Sequence, residues 1–328
     1  MQNAGCLGCL GYIILFFSLY NILWFFDINP KLTFPLMVLY VVLWAIAMFY
    51  QDKNKMKIKK SVVKVLSFLF PNMVTNMAYN ILTSLQIYKK RAREIEVLNQ
   101  AKKEVMDFEK FKIQTYLWKG GAEKVLLVHG WEGQAGNFSE LIAPLLEANY
   151  TIIAFDAPSH GDSSKGRTSL FEFSNLVGIL LQKFEISKVV SHSFGGVATT
   201  YALKNNPNIR LDRYVLLTTP DSFLQRIEDI SEQVGVTKNI RNRLINKIEK
   251  QSNIIVKDFS VSEFVKQINV KKALIIHDKN DKIIPIAYAK NVCQNWKNAT
   301  MQEVENTGHF KILTTKTVIE SVVNFLSK

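Results

Sequence analysis

The sequence predicts an α/β domain, a mostly parallel sheet flanked by helices, set behind two apolar spans. Three observations lead there. From about residue 108 onward, short apolar runs of strand length alternate with helix-like runs, over a stretch long enough for a single α/β core. Residues 220–268 interrupt that alternation with two consecutive helix-like segments, 223–234 and 240–254, more than a crossover between strands requires. Upstream, residues 6–26 and 32–50 form runs of 21 and 19 residues without a charge.

Each uncharged run can cross a hydrocarbon core of ~30 Å at ~1.5 Å per residue. Asp27-Ile-Asn-Pro30-Lys31 separates them, so residues 1–60 read as a transmembrane hairpin with a basic flank. A secretory signal is disfavoured because no basic segment precedes the first run and no small-x-small cleavage site follows it. Lys53, Lys55, Lys57, Lys59 and Lys60 follow the second run, whereas the inter-span loop holds only Lys31. Basic flanks stay on the cytoplasmic side, which predicts an integral membrane protein with its C-terminal domain on the cytoplasmic face.

The chain carries a formal charge of +13. Residues 51–120 hold 15 Lys or Arg against 6 Asp or Glu, and residues 121–328 hold 25 against 21, so most of the excess lies beside the predicted membrane spans. That location argues for membrane lipid and against nucleic acid as the partner of the basic charge. Residues 61–107 read as an amphipathic helical linker, with Met73, Met77, Ile81, Leu85 and Tyr88 at three- or four-residue spacing ahead of Lys89-Lys90-Arg91. Such a helix either packs on the following domain or lies in the membrane interface.

Residues 108–328 form the α/β domain, with strands expected at 112–118, 124–129, 150–155, 187–191, 214–218, 272–277 and 300–304. Its most informative segment is Ser191-His192-Ser193-Phe194-Gly195-Gly196, which an apolar run enters and a helix-like run leaves. A serine on a sharp strand-to-helix turn projects its Oγ above the sheet edge, making Ser193 the candidate nucleophile. A serine hydroxyl needs a base and an acid that orients it. His309 follows the last strand on a loop beside Gly308, and Asp281 and Asp278 stand in the polar turn after the 272–277 strand. Asp221, after the 214–218 strand, is a further candidate acid.

The order Ser193, Asp281, His309, together with Val125-Leu-Leu-Val-His129-Gly130-Trp131 and Phe155-Asp156-Ala-Pro-Ser159-His160-Gly161-Asp162-Ser163, resembles the α/β-hydrolase superfamily, in particular its esterase and lipase-like serine hydrolases. The resemblance covers roughly residues 108–328. It implies an α/β-hydrolase fold with a helical lid at about 220–268. It also implies a triad of Ser193, Asp281 and His309, and an oxyanion hole made of the backbone N–H groups of Trp131 and Phe194. Asp281 is preferred as the acid because the family pattern sets it four residues before a proline, here Pro285. Two positions depart from the pattern: Ser191 replaces the first glycine of the elbow, and Asp278 replaces the glycine that often follows the histidine of the preceding strand.

Individually, His129, His160, His192 and His277 read as structural histidines. There is no His-Glu-x-x-His, no paired Cys-x-x-Cys and no phosphate loop, so neither metal nor cofactor is expected. Cys6, Cys9 and Cys293 indicate no disulfide framework. The expected function is hydrolysis of a carboxylic ester, apolar or lipid-derived, through an acyl-enzyme on Ser193. Thioester, amide or carbon–carbon cleavage by the same residues, or a silent binding scaffold, are the competing expectations.

Overall fold

The computed structural model describes residues 55–83 and 89–328. The two apolar runs predicted to cross a membrane lie outside the described residues, as do Leu85 and Tyr88 of the linker pattern. Among the described residues no helix is long and apolar enough to cross a membrane.

Before the sheet come helices α1 (Lys55–Leu69), α2 (Pro71–Thr83) and α3 (Ala92–Asn99). The strands are β1 (Lys102–Phe108), β2 (Phe111–Trp118), β3 (Lys124–Val128), β4 (Thr151–Phe155), β5 (Lys188–His192), β6 (Arg210–Leu217), β7 (Asn269–Asp278) and β8 (Ala299–Val304). They form one sheet in the order β1-β2-β4-β3-β5-β6-β7-β8. β1 and β2 are antiparallel to each other, and β2 is antiparallel to β4. From β4 to β8 every pairing is parallel. The sheet therefore begins at residue 102, one strand earlier than the apolar pattern indicates. β1 is an edge strand, Lys-Lys-Glu-Val-Met-Asp-Phe, and all its residues before Met106 are exposed, so no apolar periodicity marked it.

Alternation along the central strands fills two layers. Leu126 and Val128 of β3 and Ile153 and Phe155 of β4 face one way, toward helices α5 (Leu170–Lys183) and α6 (Phe194–Asn205) through Phe173, Val177, Val197 and Ala202. Val125, Leu127, Ile152 and Ala154 face the other way, toward α3, α4 (Ser139–Glu147) and the C-terminal helix through Leu98, Leu145, Val322 and Leu326. Each fully buried aliphatic side chain here contributes ~1.5–3 kcal/mol.

Between β6 and β7 lie α7 (Phe223–Val234), α8 (Lys238–Ser252), a short 3-10 turn and α9 (Val261–Phe264). After β7 come α10 (Ile286–Asn295), β8, the short α11 (Gly308–Lys311) and α12 (Lys316–Leu326). Among the described residues, backbone contacts divide the chain into two compact units, residues 55–74 with 231–240, and residues 75–83 and 89–230 with 241–328. The first holds α1 and the α7–α8 junction, closed by a 2.9 Å bond from Val236 N to Ser231 O. The second holds the whole sheet and every residue of the site described below.

Candidate active site

The carboxyl ends of β3, β5, β7 and β8 open onto one edge of the sheet, where open α/β sheets bind ligands. Ser193 sits between β5 and α6 with φ 52° and ψ −124°, a region an L-residue occupies at ~1–3 kcal/mol of strain. The surroundings hold it there. Ser193 N donates to Leu217 O at 2.8 Å, and Gly196 N donates to Ser193 O at 2.9 Å. Gly195 is required by close approach: a Cβ there would lie 2.4 Å from His129 O and 2.5 Å from Val128 O.

Ser193 Oγ lies 3.0 Å from His309 Nε2, and His309 Nδ1 lies 2.9 Å from Asp281 Oδ2. Because a carboxylate only accepts, Nδ1 carries the proton and Nε2 is left to accept from the serine hydroxyl. The second oxygen of Asp281 accepts from Ile283 N at 2.7 Å and Ile284 N at 3.0 Å. Burial pushes the Asp281 carboxyl upward, but the hydrogen bonds from His309, Ile284 and Ile283 outweigh it and hold the group below the usual carboxylate range.

The other two candidate acids are engaged elsewhere. Asp278 Oδ2 accepts from Thr307 N at 2.6 Å, Thr307 Oγ1 at 2.9 Å and Gly308 N at 2.7 Å, so it anchors the backbone that presents His309. Asp221 accepts from Ser262 N at 2.7 Å and from Asn291 Nδ2, tying the β6–β7 excursion to α10.

His129, His160, His192 and His277 each hydrogen-bond backbone. His129 Nδ1 donates to Gly130 O at 2.7 Å while Nε2 accepts from Ala157 N at 3.0 Å. His160 Nδ1 donates to Pro158 O at 2.9 Å and its Nε2 accepts from Glu132 N at 3.3 Å. His192 Nε2 donates to His309 O at 2.9 Å, and His277 Nε2 donates to Ile284 O at 2.8 Å. Burial lowers His129 to about 4 and His160 and His192 to about 3, which keeps all three neutral near pH 7.

The His129-Gly130-Trp131 loop lies against the elbow, since a Cβ on Gly130 would sit 3.1 Å from Ser193 Cβ. Among the described residues the amides of Trp131 and Phe194 donate to no other group, and their rings meet edge to face at 5.0 Å. Two free N–H groups flanking a serine can stabilise an oxyanion that forms on attack at a carbonyl.

Asp156, inside one of the quoted motifs, is a residue of the site that sequence reasoning missed. It is fully buried, accepting from Ala135 N at 2.8 Å, Asp162 N at 2.7 Å and Tyr116 Oη at 3.0 Å, and so fixes the segment that follows Trp131. Glu94 had no signal at all, standing on a helix with a polar appearance. Its buried carboxylate accepts from Arg91, Gln134 and Asn137 and lines the cavity over Ser193. That cavity has a volume of about 780 Å³, and Trp131, Leu170, Phe171, Phe194, Phe223 and Ile248 supply much of its apolar wall. Among the described residues no group of three or more His, Cys, Asp or Glu is placed to hold a metal ion.

A family model described as the alpha/beta hydrolase fold matches residues 124–252. An "Uncharacterized hydrolase YugF" of Bacillus subtilis (strain 168) is 26% identical over 233 residues, covering 58% of this chain and 84% of its own length. A human "Serine hydrolase-like protein" is 33% identical over 112 residues, 32% of this chain and 53% of the relative. Among solved structures, Est1E of Butyrivibrio proteoclasticus with ferulic acid bound superposes with a TM-score of 0.55 at 17% identity, covering 69% of this chain and all of that one. The chain thus has the α/β-hydrolase fold, and its residues 124–252 match the model of that family. It is an enzyme of the hydrolase class, with serine-hydrolase-like relatives.

Proposed function

We propose that the protein is a membrane-anchored serine hydrolase that cleaves carboxylic esters through an acyl-enzyme on Ser193. The observation that carries this reading is the chain of contacts from Ser193 Oγ to His309 Nε2 at 3.0 Å and from His309 Nδ1 to Asp281 at 2.9 Å. Ser193 Oγ attacks the ester carbonyl as its proton passes to His309 Nε2. The N–H groups of Trp131 and Phe194 receive the oxyanion, a contribution of ~10²–10³ in rate for each such donor. Collapse expels the alcohol, which takes the proton from His309, and a water repeats the sequence to free the acid. Asp281 keeps the imidazole in the required tautomer throughout.

The apolar cavity wall supports an apolar or lipid-derived acyl group as substrate. The uncharged runs at 6–26 and 32–50, followed by five lysines between 53 and 60, support an anchor with the hydrolase domain on the cytoplasmic face. The test is fluorophosphonate labelling of the solubilised full-length protein, followed by esters of graded chain length. Wild type should label, and Ser193→Ala and His309→Ala should not. A folded wild type that neither labels nor cleaves any ester would reduce the protein to a silent scaffold of the same fold.

A further inference from the structure

Helix α2 contains no charged residue, an unusual composition for a helix at a protein surface. Within residues 75–83, Ala78, Tyr79 and Leu82 pack against Ile227, Leu244 and Ile248 of α7 and α8. Lys247 fixes this contact, with its Nζ 2.7 Å from Asn76 Oδ1 and 4.6 Å from the Tyr79 ring centre. Tyr79, Leu82 and Thr83 also line the cavity that contains Ser193 and His309. The opposite face presents Met77 and Ile81, one turn apart and 53% and 70% exposed. Phe310, adjacent to His309 and another cavity-lining residue, is 67% exposed. One helix is therefore a wall of the cavity on one face and unpartnered apolar surface on the other.

The sequence on either side of α2 identifies what covers that surface. The second uncharged run ends at Tyr50, with only 20 residues between it and Pro71, and the intervening segment holds five lysines between 53 and 60. On the far side stand Lys89, Lys90 and Arg91. An uncharged helix with an exposed apolar face, bracketed by basic clusters and tethered close to a membrane-length span, matches the charge and hydropathy of an anionic lipid surface. α1, in the other compact unit, likewise leaves Phe68 and Leu69 exposed.

We propose that α2 lies in the bilayer interface as a wall of the catalytic cavity, so that a bilayer-resident ester passes from the lipid to Ser193 along this helix. The proposal rests on the anchored-esterase reading and adds the route and the substrate class. Entry along α2 lets the acyl chain leave one apolar environment for another without crossing water, and it makes hydrolysis of membrane esters depend on two residues far from the chemistry.

The test uses full-length protein reconstituted in vesicles of phosphatidylcholine and phosphatidylglycerol. A benzoylphenylalanine photo-crosslinker at Ile81 should give lipid adducts several-fold above one at Val105, an exposed apolar position on β1. In the second arm, Met77→Asp combined with Ile81→Asp should lower hydrolysis of a vesicle-borne long-chain ester at least tenfold and leave a water-soluble short-chain ester within twofold. Adducts to a second copy of the chain, equal lipid yields at both positions, or equal loss on both esters would overturn the proposal. The underlying reading fails separately: a wild type that cleaves neither ester removes the hydrolase assignment, and a protein extracted by alkaline carbonate removes the anchor. The crosslinking arm decides the placement of α2 in either case.

Discussion

Replacing Asp281 by asparagine tests the assignment of the acid with little change of shape. In the wild type one carboxylate oxygen accepts from the amides of Ile283 and Ile284, and the other accepts from His309 Nδ1. An asparagine keeps the two backbone bonds only by directing its carbonyl oxygen at those amides, which turns its NH₂ toward His309. The ring must then accept at Nδ1 and carry its proton on Nε2, so it can no longer take the proton from Ser193. The analogous change in serine proteases lowers kcat by ~10⁴, or about 5.4 kcal/mol of transition-state stabilisation. We expect Asp281→Asn to lower kcat by that order while KM changes little, and to abolish the fast phase of fluorophosphonate labelling. Thermal denaturation should show a folded protein, because both backbone bonds survive. If Asp281→Asn kept its activity within tenfold of wild type while Asp221→Asn lost it, the orientation argument would be refuted and the acid reassigned to Asp221.

Three further predictions address the support of the site. His129, His160 and His192 are buried neutral, with values of about 4, 3 and 3. The unfolded chain binds protons near pH 6.5 that the folded chain refuses, so stability is full above that value and falls as pH drops toward 4. Each histidine accounts for about 2 kcal/mol between pH 7.5 and 5.0. Denaturant titrations at the two pH values should show the loss, with a smaller one in His192→Asn, and equal stability at both would contradict it. Gly195→Ala places a Cβ against two backbone oxygens; we expect ~1–3 kcal/mol or more of destabilisation, read by thermal melting, with loss of fluorophosphonate labelling. Ser191→Gly removes the 3.1 Å bond to Tyr214 Oη and frees the backbone, costing about 1–2 kcal/mol with kcat/KM within about threefold. A collapse of activity in a folded Ser191→Gly protein would give that hydroxyl a chemical role.

The parallel core was legible because its strands are buried on both faces and read as unbroken apolar runs, as in Val125-Leu-Leu-Val128 and Ile152-Ile-Ala-Phe155. β1 was not, because an edge strand keeps polar residues on both faces and it is held to β2 by the backbone ladder and by polar side chains such as Thr115 and Lys112. The helix pair in 223–254 was visible as a 3.6-residue period. The contact of α8 with Tyr79 and Leu82 of α2 was invisible, since nothing in either segment encodes its partner.

The candidate site was legible to a similar limit. Residue type and order nominated Ser193 and His309, but Asp278 and Asp281 stand three residues apart in one polar turn, and the preference for Asp281 rested on the resemblance alone, through its distance from Pro285. Backbone geometry decides it. Asp278, at the end of β7, faces the amides of Thr307 and Gly308 across the parallel pair β7–β8, and these donors take up one of its oxygens. Asp281, one turn further, reaches past them to His309 Nδ1. The two acids thus act in series, one holding the loop that carries the histidine and the other holding its ring. The departure at Asp278 is explained by the same geometry: a glycine there would leave the amides of Thr307 and Gly308 without their acceptor, and the 3.0 Å approach of His309 to Ser193 would rest on the His192 bond to the His309 carbonyl and on Asp281 alone.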